Sequence, residues 1–283
     1  MEPQDSRSRC MTVHELLTSA QSQLGSISDS PLLDCQVLLA QALDKGREWL
    51  IAHGDDELDS EKIDGFEQLL ARRLSGEPIA YIIGTRAFWQ HEFLVSPAVL
   101  VPRPETELLV ETLLSHLDSG EQQVVDLGTG SGAVAVSIAA ERPDWFVTGV
   151  DCSRDAIAIA TRNAAGLNNI EMRVGNWCDD IASGSVDAIV SNPPYVRDND
   201  AHLIKLSHEP IRALNAGPDG LDTIREIVPA AYGCLKAGGL LLIEHGYDQQ
   251  ESVKDLYRQA RFQQVAGLKD LNNLPRAVLG YRL

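Results

Sequence analysis

The sequence is poor in positive charge. Its 283 residues include 24 Lys and Arg against 41 Asp and Glu, which gives a formal net charge of −17. The acidic excess is not confined to one tail, because residues 1–80 alone contain 7 basic and 15 acidic side chains. Proteins that hold nucleic acid through its phosphates use clustered Lys and Arg. The composition therefore argues against direct nucleic-acid binding and favours a partner with basic residues.

Metal-binding and membrane-spanning patterns are also absent. The five cysteines form no CxxC pair, and the seven histidines form no HxxxH or HExxH pair, which predicts reduced thiols and no metal site. The segment MEPQDSRSRC lacks the apolar core of a signal peptide, and no run approaches the ~18 apolar residues of a membrane helix. We therefore expect a soluble, cytoplasmic protein that does not bind a membrane.

Helical periodicity dominates the first part of the chain. The segments PLLDCQVLLAQAL and SEKIDGFEQLLARRL carry apolar residues at helical spacing. In the second segment Ser60 is the predicted N-cap, and Gly76 followed by Pro78 is the predicted stop. We predict a small N-terminal helical bundle over residues 1–80, in keeping with a chain longer than the ~250 residues that one core usually serves.

The pattern changes twice after residue 80. Residues 81–103 are rich in glycine, aromatic and β-branched side chains, which predicts a β-hairpin linker. From residue 104 a helix is expected, with Pro104 in its first turn, and short apolar strands then alternate with helices. That alternation is typical of an α/β fold with an open parallel sheet, which binds ligands at the carboxyl ends of its strands. We predict a Rossmann-like domain over residues 104–283.

A glycine-rich turn follows the first predicted strand of this domain. In VVDLGTGSGAVAVSIAA the glycines at 128, 130 and 132 have no side chains, so the backbone can approach a ligand closely. The string also fits the GxGxxA pattern of dinucleotide sites. The turn therefore predicts a cofactor without choosing between NAD and S-adenosylmethionine.

Two acidic residues next to this turn narrow the choice. Asp151 ends the next predicted strand, where a carboxylate can accept hydrogen bonds from both ribose hydroxyls of either cofactor. Asp126 directly precedes the turn. It is expected either to orient the turn by accepting from loop amides, or to meet a cationic group such as an amino-acid ammonium. The second role fits S-adenosylmethionine better than a pyrophosphate.

The fourth predicted strand ends in the motif NPPY, residues 192 to 195. If the Asn192 side-chain oxygen and the Pro193 carbonyl each accept one N–H of a planar NH2 group, they fix its nitrogen and aim it at a methyl donor. Pro193 and Pro194 make the corner rigid and bring no N–H that competes. Tyr195 offers an apolar face for the planar group. The alternative is an ordinary turn at the end of a strand.

The motifs DLGTGSG, GVD and NPPY, in this order, resemble those of S-adenosylmethionine-dependent methyltransferases that act on a planar nitrogen. With LVPRPETE and EHG, the chain resembles the HemK/PrmC family, protein-(glutamine-N5) methyltransferases of peptide chain release factors, over nearly its whole length. The resemblance implies S-adenosyl-L-methionine as cofactor and a set of cofactor-binding residues. They are Gly128, Thr129, Gly130, Ser131 and Gly132 for the methionine portion, Asp151 for the ribose, Trp177 for the adenine region, and Asn192.

The resemblance also implies the reaction. A methyl group is transferred to the side-chain N5 of the glutamine in a Gly-Gly-Gln motif of class I release factors, and Asn192, Pro193, Pro194 and Tyr195 bind that side chain. We expect a monomer whose N-terminal bundle docks the release factor. Asn176 stands where many relatives have an acidic residue, and Arg276 lies in a loop that departs from the family pattern. The segment Glu105 to Glu107 is expected either to border the substrate entrance or only to begin a helix.

Three other functions fit part of the pattern. An adenine-N6 nucleic-acid methyltransferase would use the same NPPY clamp, but it requires basic surface for flipping a base and holding its phosphates. A non-catalytic scaffold would not need an intact glycine turn, Asp151 and NPPY together. An NAD-dependent oxidoreductase would need an acid or base for hydride transfer near NPPY, and the sequence offers no evident one.

Overall fold

The chain divides into two units between Gly84 and Thr85. The computed structural model describes residues 10–25, 27–201, 203 and 206–283. The sequence prediction set the end of the helical domain at residue 80, four residues before this division. The difference arises from one short helix, which is described below.

Amphipathic helices build the first unit around a common apolar core. Leu38, Ile63 and Phe66 are fully buried in that core. A two-residue strand pair joins β1 (Met11–Thr12) to β2 (Glu57–Leu58). The helices of this unit are α1 (Val13–Leu24), α2 (Pro31–Leu43), α3 (Arg47–Ala52), α4 (Ser60–Leu74) and α5 (Ile79–Ile83).

The start of α4 differs by one residue from the prediction. Asp59, not Ser60, is the N-cap, because its carboxylate accepts a hydrogen bond from the Lys62 amide at 3.0 Å. A side-chain oxygen at the N-cap reaches the amide three residues on, and Asp59 provides it. At the other end the helix stops at Leu74, before a left-handed Gly76 at φ +94°, as the sequence predicts.

The predicted hairpin linker splits between the two units. Its first residues lie in α5, where Ile82 is buried in the helical core, so burial overrides the β preference of this apolar run. The hairpin itself consists of β3 (Thr85–Phe88) and β4 (His91–Leu94), paired antiparallel. Phe88 and Phe93 on it are buried in the core of the second unit. The hairpin is therefore part of the second unit.

The second unit contains a seven-stranded sheet in the order β10-β11-β9-β8-β5-β6-β7. The pairs from β9 to β7 are parallel, whereas β11 and β10 run antiparallel at one edge. The strands are β5 (Gln123–Leu127), β6 (Phe146–Asp151), β7 (Ile170–Val174), β8 (Val186–Ser191), β9 (Leu235–Glu244), β10 (Gln263–Lys269) and β11 (Pro275–Tyr281).

Helices cover both faces of this sheet. Successive residues of β5 point to opposite faces, so Val124 belongs to one buried apolar cluster and Val125 to the other. A short 3₁₀ turn, Pro104–Thr106, leads into the first helix. The helices are α6 (Glu107–His116), α7 (Ala133–Glu141), α8 (Arg154–Asn163), α9 (Asp222–Cys234) and α10 (Gln250–Gln259).

The order of the strands creates a switch point between β5 and β8. From β5 the chain builds outward through β6 to β7, and then crosses back to place β8 on the other side of β5. Ligands of open α/β sheets bind at such a point, beyond the carboxyl ends of the strands. In the described part of the chain, no helix is both long and apolar enough to cross a membrane.

Candidate active site

The glycine turn and the NPPY motif leave the sheet side by side. Leu127 at the end of β5 and Ser191 at the end of β8 are partners in the parallel ladder. The Ser191 hydroxyl also donates a hydrogen bond to the Leu127 carbonyl at 2.7 Å. Gly128 and Asn192 are the next residues on their two strands, so the ladder brings together two motifs that are 64 residues apart.

Two positions of the turn, 128 and 132, require glycine because of their backbone conformation and their close contacts. Gly128 has φ +73°, and a Cβ on it would lie 3.3 Å from the Trp177 ring. Gly132 has φ +81°, and its Cβ would lie 3.2 Å from both the Ala160 and the Met172 side chains. Residues with side chains rarely adopt this left-handed region. Gly128 therefore lets Trp177 approach the turn, whereas Gly132 lets α7 begin against α8 and β7.

Asp151 ties the glycine turn to the next strand. Its Oδ2 accepts a hydrogen bond from the Gly130 amide at 3.0 Å, and its Oδ1 accepts one from the Ser153 amide at 2.9 Å. Each carboxylate oxygen can accept a further hydrogen bond. Asp151 thus fixes the turn and still has acceptor capacity toward the cavity that it lines.

Asp126 is buried beneath the turn. It accepts a hydrogen bond from the Thr129 hydroxyl at 2.6 Å. Burial raises the pKa of Asp126 to about 7, although the Thr129 hydroxyl and the Ala135 amide in the first turn of α7 oppose that rise. Both predicted roles are compatible with this position, because Asp126 orients the turn and also lines the cavity.

A cavity of about 1000 Å³, including its open mouth, lies over the ends of β5 and β6. It is mainly apolar, and its polar groups come from the glycine turn and the residues after β6 and β8. Gly132 lies outside its lining, since that residue is turned toward α8. The predicted cofactor-binding residues that line it are Gly128, Thr129, Gly130, Ser131, Asp151, Trp177 and Asn192.

The far wall of this cavity contains Asn176 and Trp177. Trp177 adopts φ +45°, an unusual conformation for a residue with a bulky side chain, and its ring is half-buried against Gly128. Asn176 is exposed and donates a long hydrogen bond of 3.4 Å to Asp179. Asn176 therefore lines the cavity with an uncharged side chain.

A second cavity, of about 990 Å³ including its mouth, lies on the other side of the NPPY motif. Asn192, Arg103, Leu100 and Ala213 line both cavities, so Asn192 stands in a shared wall. Pro194 faces the first cavity. Pro193 and Tyr195 line the second one, together with Arg276 and the exposed Tyr247.

Asn192 is held by Thr106. Its Nδ2 donates a hydrogen bond to the Thr106 hydroxyl at 3.0 Å. Thr106 belongs to the 3₁₀ turn of the PRPETE segment and is 5% exposed. It precedes α6 at the N-cap position, yet its side chain makes no capping hydrogen bond. Thr106 therefore belongs to the site. Glu107, in contrast, begins α6, and its carboxylate accepts a hydrogen bond from the Trp89 amide.

A buried carboxylate lies behind Tyr195. The Tyr195 hydroxyl donates to Glu244 Oε1 at 3.1 Å, and Glu244, at the end of β9, is only 1% exposed. Burial raises the pKa of Glu244 to about 7, against the effects of Thr106, Tyr195 and Arg276. Burial and the nearby Glu244 charge also raise the pKa of the Tyr195 phenol. Tyr195 therefore stays protonated and acts as a hydrogen-bond donor.

Two arginines border the second cavity with their charge already paired. Arg276, whose role the sequence left open, donates from Nε and Nη2 to Asp270 at 3.2 and 3.1 Å. Arg103 pairs with the buried Glu209, which also accepts a hydrogen bond from the Val101 amide at 3.1 Å. Glu209 thereby fixes the segment that leads to Thr106. No sequence pattern pointed to Glu209, because it lies in an irregular loop outside every motif.

Arg212 was also missed by the sequence analysis. It lines the first cavity and donates to the Ser153 hydroxyl at 2.5 Å, next to Asp151. Within the residues that the structure describes, no cluster of His, Cys, Asp and Glu side chains is arranged to hold a metal ion.

Solved structures of other proteins share the fold of this chain. A methyltransferase from Pyrococcus furiosus aligns with a TM-score of 0.52 over 76% of this chain and 98% of its own, at 18% identity. The ribosomal protein L11 methylase from Lactobacillus delbrueckii subsp. bulgaricus aligns with a TM-score of 0.50 over 66% of this chain and 83% of its own, also at 18% identity. The fold is that of the Rossmann-like methyltransferases, as predicted.

Sequence comparison defines the family within this class. The model of the PrmC N-terminal domain matches residues 15–84, and that of the methyltransferase small domain matches residues 104–216. The release factor glutamine methyltransferase of Coxiella burnetii is 42% identical over 275 residues, 96% of this chain and 99% of that protein. The Escherichia coli K12 enzyme of the same name is 39% identical over 274 residues, 95% of this chain and 99% of its own.

This chain therefore belongs to the release factor glutamine methyltransferase family. Membership confirms the predicted family and enzyme class, with S-adenosylmethionine as the cofactor. The residues around the first cavity fit such a cofactor, because the turn leaves space for a ligand and two carboxylates face it.

Proposed function

We propose that this enzyme transfers the methyl group of S-adenosylmethionine to the side-chain N5 of a glutamine in a peptide chain release factor, within its Gly-Gly-Gln motif. The observation that carries the proposal is the position of Asn192 in the wall between two cavities. One cavity has the size and polar groups for the cofactor, and the other opens beside Pro193 and Tyr195. The names of the similar proteins supply the substrate class.

Methyl transfer to a carboxamide requires residues that hold its nitrogen beside the methyl donor. A carboxamide nitrogen is a weak nucleophile, because its lone pair is delocalised into the carbonyl group. The cofactor supplies a methyl group on a sulfonium sulfur as the electrophile. The Asn192 side-chain oxygen and the Pro193 carbonyl would each accept one N–H of the glutamine, hold the nitrogen in place and increase its electron density. After transfer the nitrogen is acidic and loses its proton to water or a nearby carbonyl.

Tyr195 and Pro194 would help to position the glutamine side chain, Tyr195 from the second cavity and Pro194 from the first. The Tyr195 ring is positioned by its hydroxyl bond to Glu244 and by the Gln249 amide, which donates to the Tyr195 carbonyl at 3.0 Å. A planar amide can pack against such an aromatic face. Pro194 lacks an N–H, so it brings no competing donor to the cofactor side.

On the cofactor side, Asp151 would accept from the ribose hydroxyls, and Trp177 would pack against the adenine. The glycine turn with Thr129 and Ser131 would hold the methionine portion, near the Asp126 carboxylate. Arg212 would close the mouth of the cavity from the segment that follows NPPY, since it reaches Ser153 beside Asp151. These roles use only residues that line the first cavity.

The N-terminal helical unit would dock the release factor through acidic side chains. Asp55, Asp56 and Glu57 are exposed at consecutive positions in that unit. Asp59 is unsuitable for a test of this role, because it caps α4. Reversing the charge of the three exposed residues together should raise the KM for the release factor at low salt and leave the cofactor Kd unchanged. An unchanged KM would remove this part of the proposal.

The central test is methylation of a purified release factor with labelled cofactor. We expect label in the wild-type release factor and none when its Gly-Gly-Gln glutamine is replaced by Ala. Asn192→Ala should lose at least about 100-fold in kcat, while calorimetry shows a nearly unchanged cofactor Kd. Duplex DNA is the competing substrate in the same assay. Methylation of its adenines, without methylation of the release factor, would overturn the proposal.

We also propose that the enzyme acts as a monomer in the cytoplasm, where its release factor substrates act in translation. Each of the two cavities is lined by residues of the second unit of a single chain. Sedimentation of the purified enzyme at assay concentrations checks the oligomeric state. Activity that rises with enzyme concentration more steeply than in proportion would contradict a monomer.

A further inference from the structure

Three arginines line the second cavity, and each of them pairs with a carboxylate. The pairs are Arg276 with Asp270 at 3.1 Å, Arg103 with Glu209, and Arg197 with Asp248 at 2.8 Å. Asp200 also lines the cavity. Among the described residues, the three positive charges around this cavity are therefore matched by four negative ones, and no excess of positive charge faces a ligand.

Two of these pairs are built into the fold. The Asp270 and Glu209 side chains are 4% and 2% exposed. Oδ1 of Asp270 accepts hydrogen bonds from the amides of residues 272 and 274, at 2.9 and 3.1 Å, while Oδ2 accepts from Arg276. Oε2 of Glu209 accepts from the Val101 amide at 3.1 Å, while Oε1 accepts from an arginine. Because one oxygen of each carboxylate is bound to the backbone, neither carboxylate can turn away from its arginine without losing these bonds.

The third pair is a surface contact. Arg197 and Asp248 are both exposed, and the segments that carry them follow NPPY and β9. Exposed ion pairs contribute little free energy and are screened by salt. The charge of the cavity is therefore controlled mainly by the two buried carboxylates, Asp270 and Glu209.

The proposed substrate side chain makes this charge important. A glutamine carboxamide and a glutamate carboxylate have nearly the same shape, but they differ in charge and in the N–H groups that Asn192 and Pro193 would accept. A guanidinium forms strong hydrogen bonds with a carboxylate, often two at once. A cavity with an unpaired arginine would therefore favour glutamate, which offers no nitrogen for methyl transfer.

Arg276 and Arg103 lie where an unpaired charge would act on such a ligand. Both line the cavity together with Pro193 and Tyr195. Burial raises the pKa of the Tyr195 phenol, and the charges of Arg276 and Arg103 oppose that rise. The field of both guanidinium groups therefore reaches the ring against which the glutamine would pack.

We propose that Asp270 and Glu209 are specificity-determining residues, which neutralise Arg276 and Arg103 so that the second cavity selects a neutral carboxamide over a carboxylate. This inference rests on the proposed function and adds to it the residues that separate glutamine from glutamate. Neither carboxylate touches the reacting atoms. Specificity is a difference between two affinities, so a protein gains it by weakening the wrong complex as well as by stabilising the right one.

The test compares two forms of one release factor, with either Gln or Glu as the third residue of its Gly-Gly-Gln motif. Their Kd values are measured by calorimetry at low salt. The enzyme is saturated with S-adenosylhomocysteine, the form of the cofactor without its methyl group, so that no transfer occurs. The readout is the ratio of the Kd of the Glu form to that of the Gln form, because a loss of stability in a variant changes both values alike. We expect the wild type to bind the Glu form more weakly.

Asp270→Asn is the first variant, because it removes the charge and keeps an oxygen for the backbone amides. The ratio should fall about 10-fold, since the released Arg276 can form charge-assisted hydrogen bonds with the Glu side chain. The double variant Asp270→Asn/Arg276→Gln removes both charges and should return the ratio to the wild-type value. The matched control is Asp187→Asn, which should leave the ratio unchanged. The Asp187 carboxylate also accepts from a backbone amide and pairs with Lys236 at 2.7 Å, but it lines neither cavity.

Glu209→Gln tests the second pair independently. It keeps an oxygen for the Val101 amide and releases Arg103, so the ratio should fall in this variant as well. This variant decides the outcome if Asp270→Asn does not fold. A wild-type ratio in either folded single variant would overturn the proposal. A fall that persists undiminished in Asp270→Asn/Arg276→Gln would do the same, because the released arginine would then not be its cause.

Methylation of the Gln form by the wild-type enzyme is measured in parallel, and it separates this inference from the proposed function. If the wild type binds the release factor but transfers no methyl group, the proposed function fails, and the Kd ratios still decide the role of the paired charges. If the wild type is active and the ratio is the same in all variants, only the role of the paired charges fails. A wild type that binds neither form overturns both.

Discussion

The two cavities that meet at Asn192 are built in different ways. The first is formed largely by residues of contiguous motifs, namely the glycine turn after β5, Asp151 at the end of β6 and the segment around Trp177. The second is assembled from side chains far apart in the sequence, such as Arg103, Tyr195 and Arg276. A site that recognises a constant cofactor can be made from a local motif. A site that accepts a protein side chain is assembled by the tertiary fold.

Gly128→Ala should break the first cavity and leave the second one intact. The new Cβ would meet the Trp177 ring at 3.3 Å in a backbone conformation of φ +73°. We expect the cofactor Kd to rise more than about 10-fold, with a loss of stability of about 1–2 kcal/mol. The matched control is Gly166→Ala, which has φ +93° but nothing within 4 Å of its Cβ. It should lose similar stability and retain the cofactor Kd measured by calorimetry.

The pH dependence of cofactor binding should come from the first cavity. Burial raises the pKa of Asp126 to about 7, and in the proposed site its ionised form would attract the ammonium group of the cofactor. Protonation removes that attraction, so the Kd should rise as the pH falls below 7, by up to about tenfold per pH unit. Titration calorimetry between pH 6 and 8.5 measures this trend. A Kd that is constant over this range would mean that Asp126 only orients the turn.

Tyr195→Phe should affect the second cavity alone. It removes the hydroxyl that donates to Glu244 at 3.1 Å and keeps the ring that we propose packs against the glutamine. We expect a loss of a few fold in kcat/KM for the release factor, because the packed ring stays in place when the hydroxyl is removed. The cofactor Kd should be unchanged. A weaker cofactor Kd would show that the two cavities are coupled through the NPPY turn.

The last expected effect concerns stability and not activity. Burial raises the folded-state pKa of Glu244 to about 7, above its unfolded value of 4.5. The unfavourable burial of its charge is therefore complete above pH 7, and it disappears as the pH falls from 7 to 4.5. Glu244→Gln should raise the free energy of unfolding by about 1–3 kcal/mol at pH 8, and by almost nothing near pH 4.5. Denaturant titrations at the two pH values give the comparison, and equal gains would contradict this account.

The difference between the cavities also explains what the sequence could predict. The parallel strands, the glycine turn and the NPPY corner follow from local apolar runs and turn residues. The antiparallel edge of the sheet was harder to predict from the sequence, because β10 begins with two polar glutamines and carries little apolar alternation. The direction of β11 was not predictable either, since strand direction depends on the connection before a strand and not on its own residues.

Within the site, the residues that were missed act through contacts that no local pattern encodes. From the sequence, Thr106 fitted the start of a helix as well as the border of the substrate entrance. Only the fold brings its hydroxyl to Asn192, 86 residues away in the chain. Glu209 accepts a hydrogen bond from the Val101 amide, although the two residues are 108 positions apart in the sequence. Glu244 lies in the EHG segment, so the family pattern pointed to it, but its burial and its bond with Tyr195 required the packed structure.

The shared wall at Asn192 also suggests how such an enzyme could be inhibited selectively. Methyl donors of this class occupy many enzymes, and a compound that fills only the adenosyl cavity would not discriminate among them. An adenosine joined through a short linker to a glutamine carboxamide would occupy both cavities, on either side of Asn192. It would gain affinity from the second cavity, whose side chains are particular to this fold, as well as from the first.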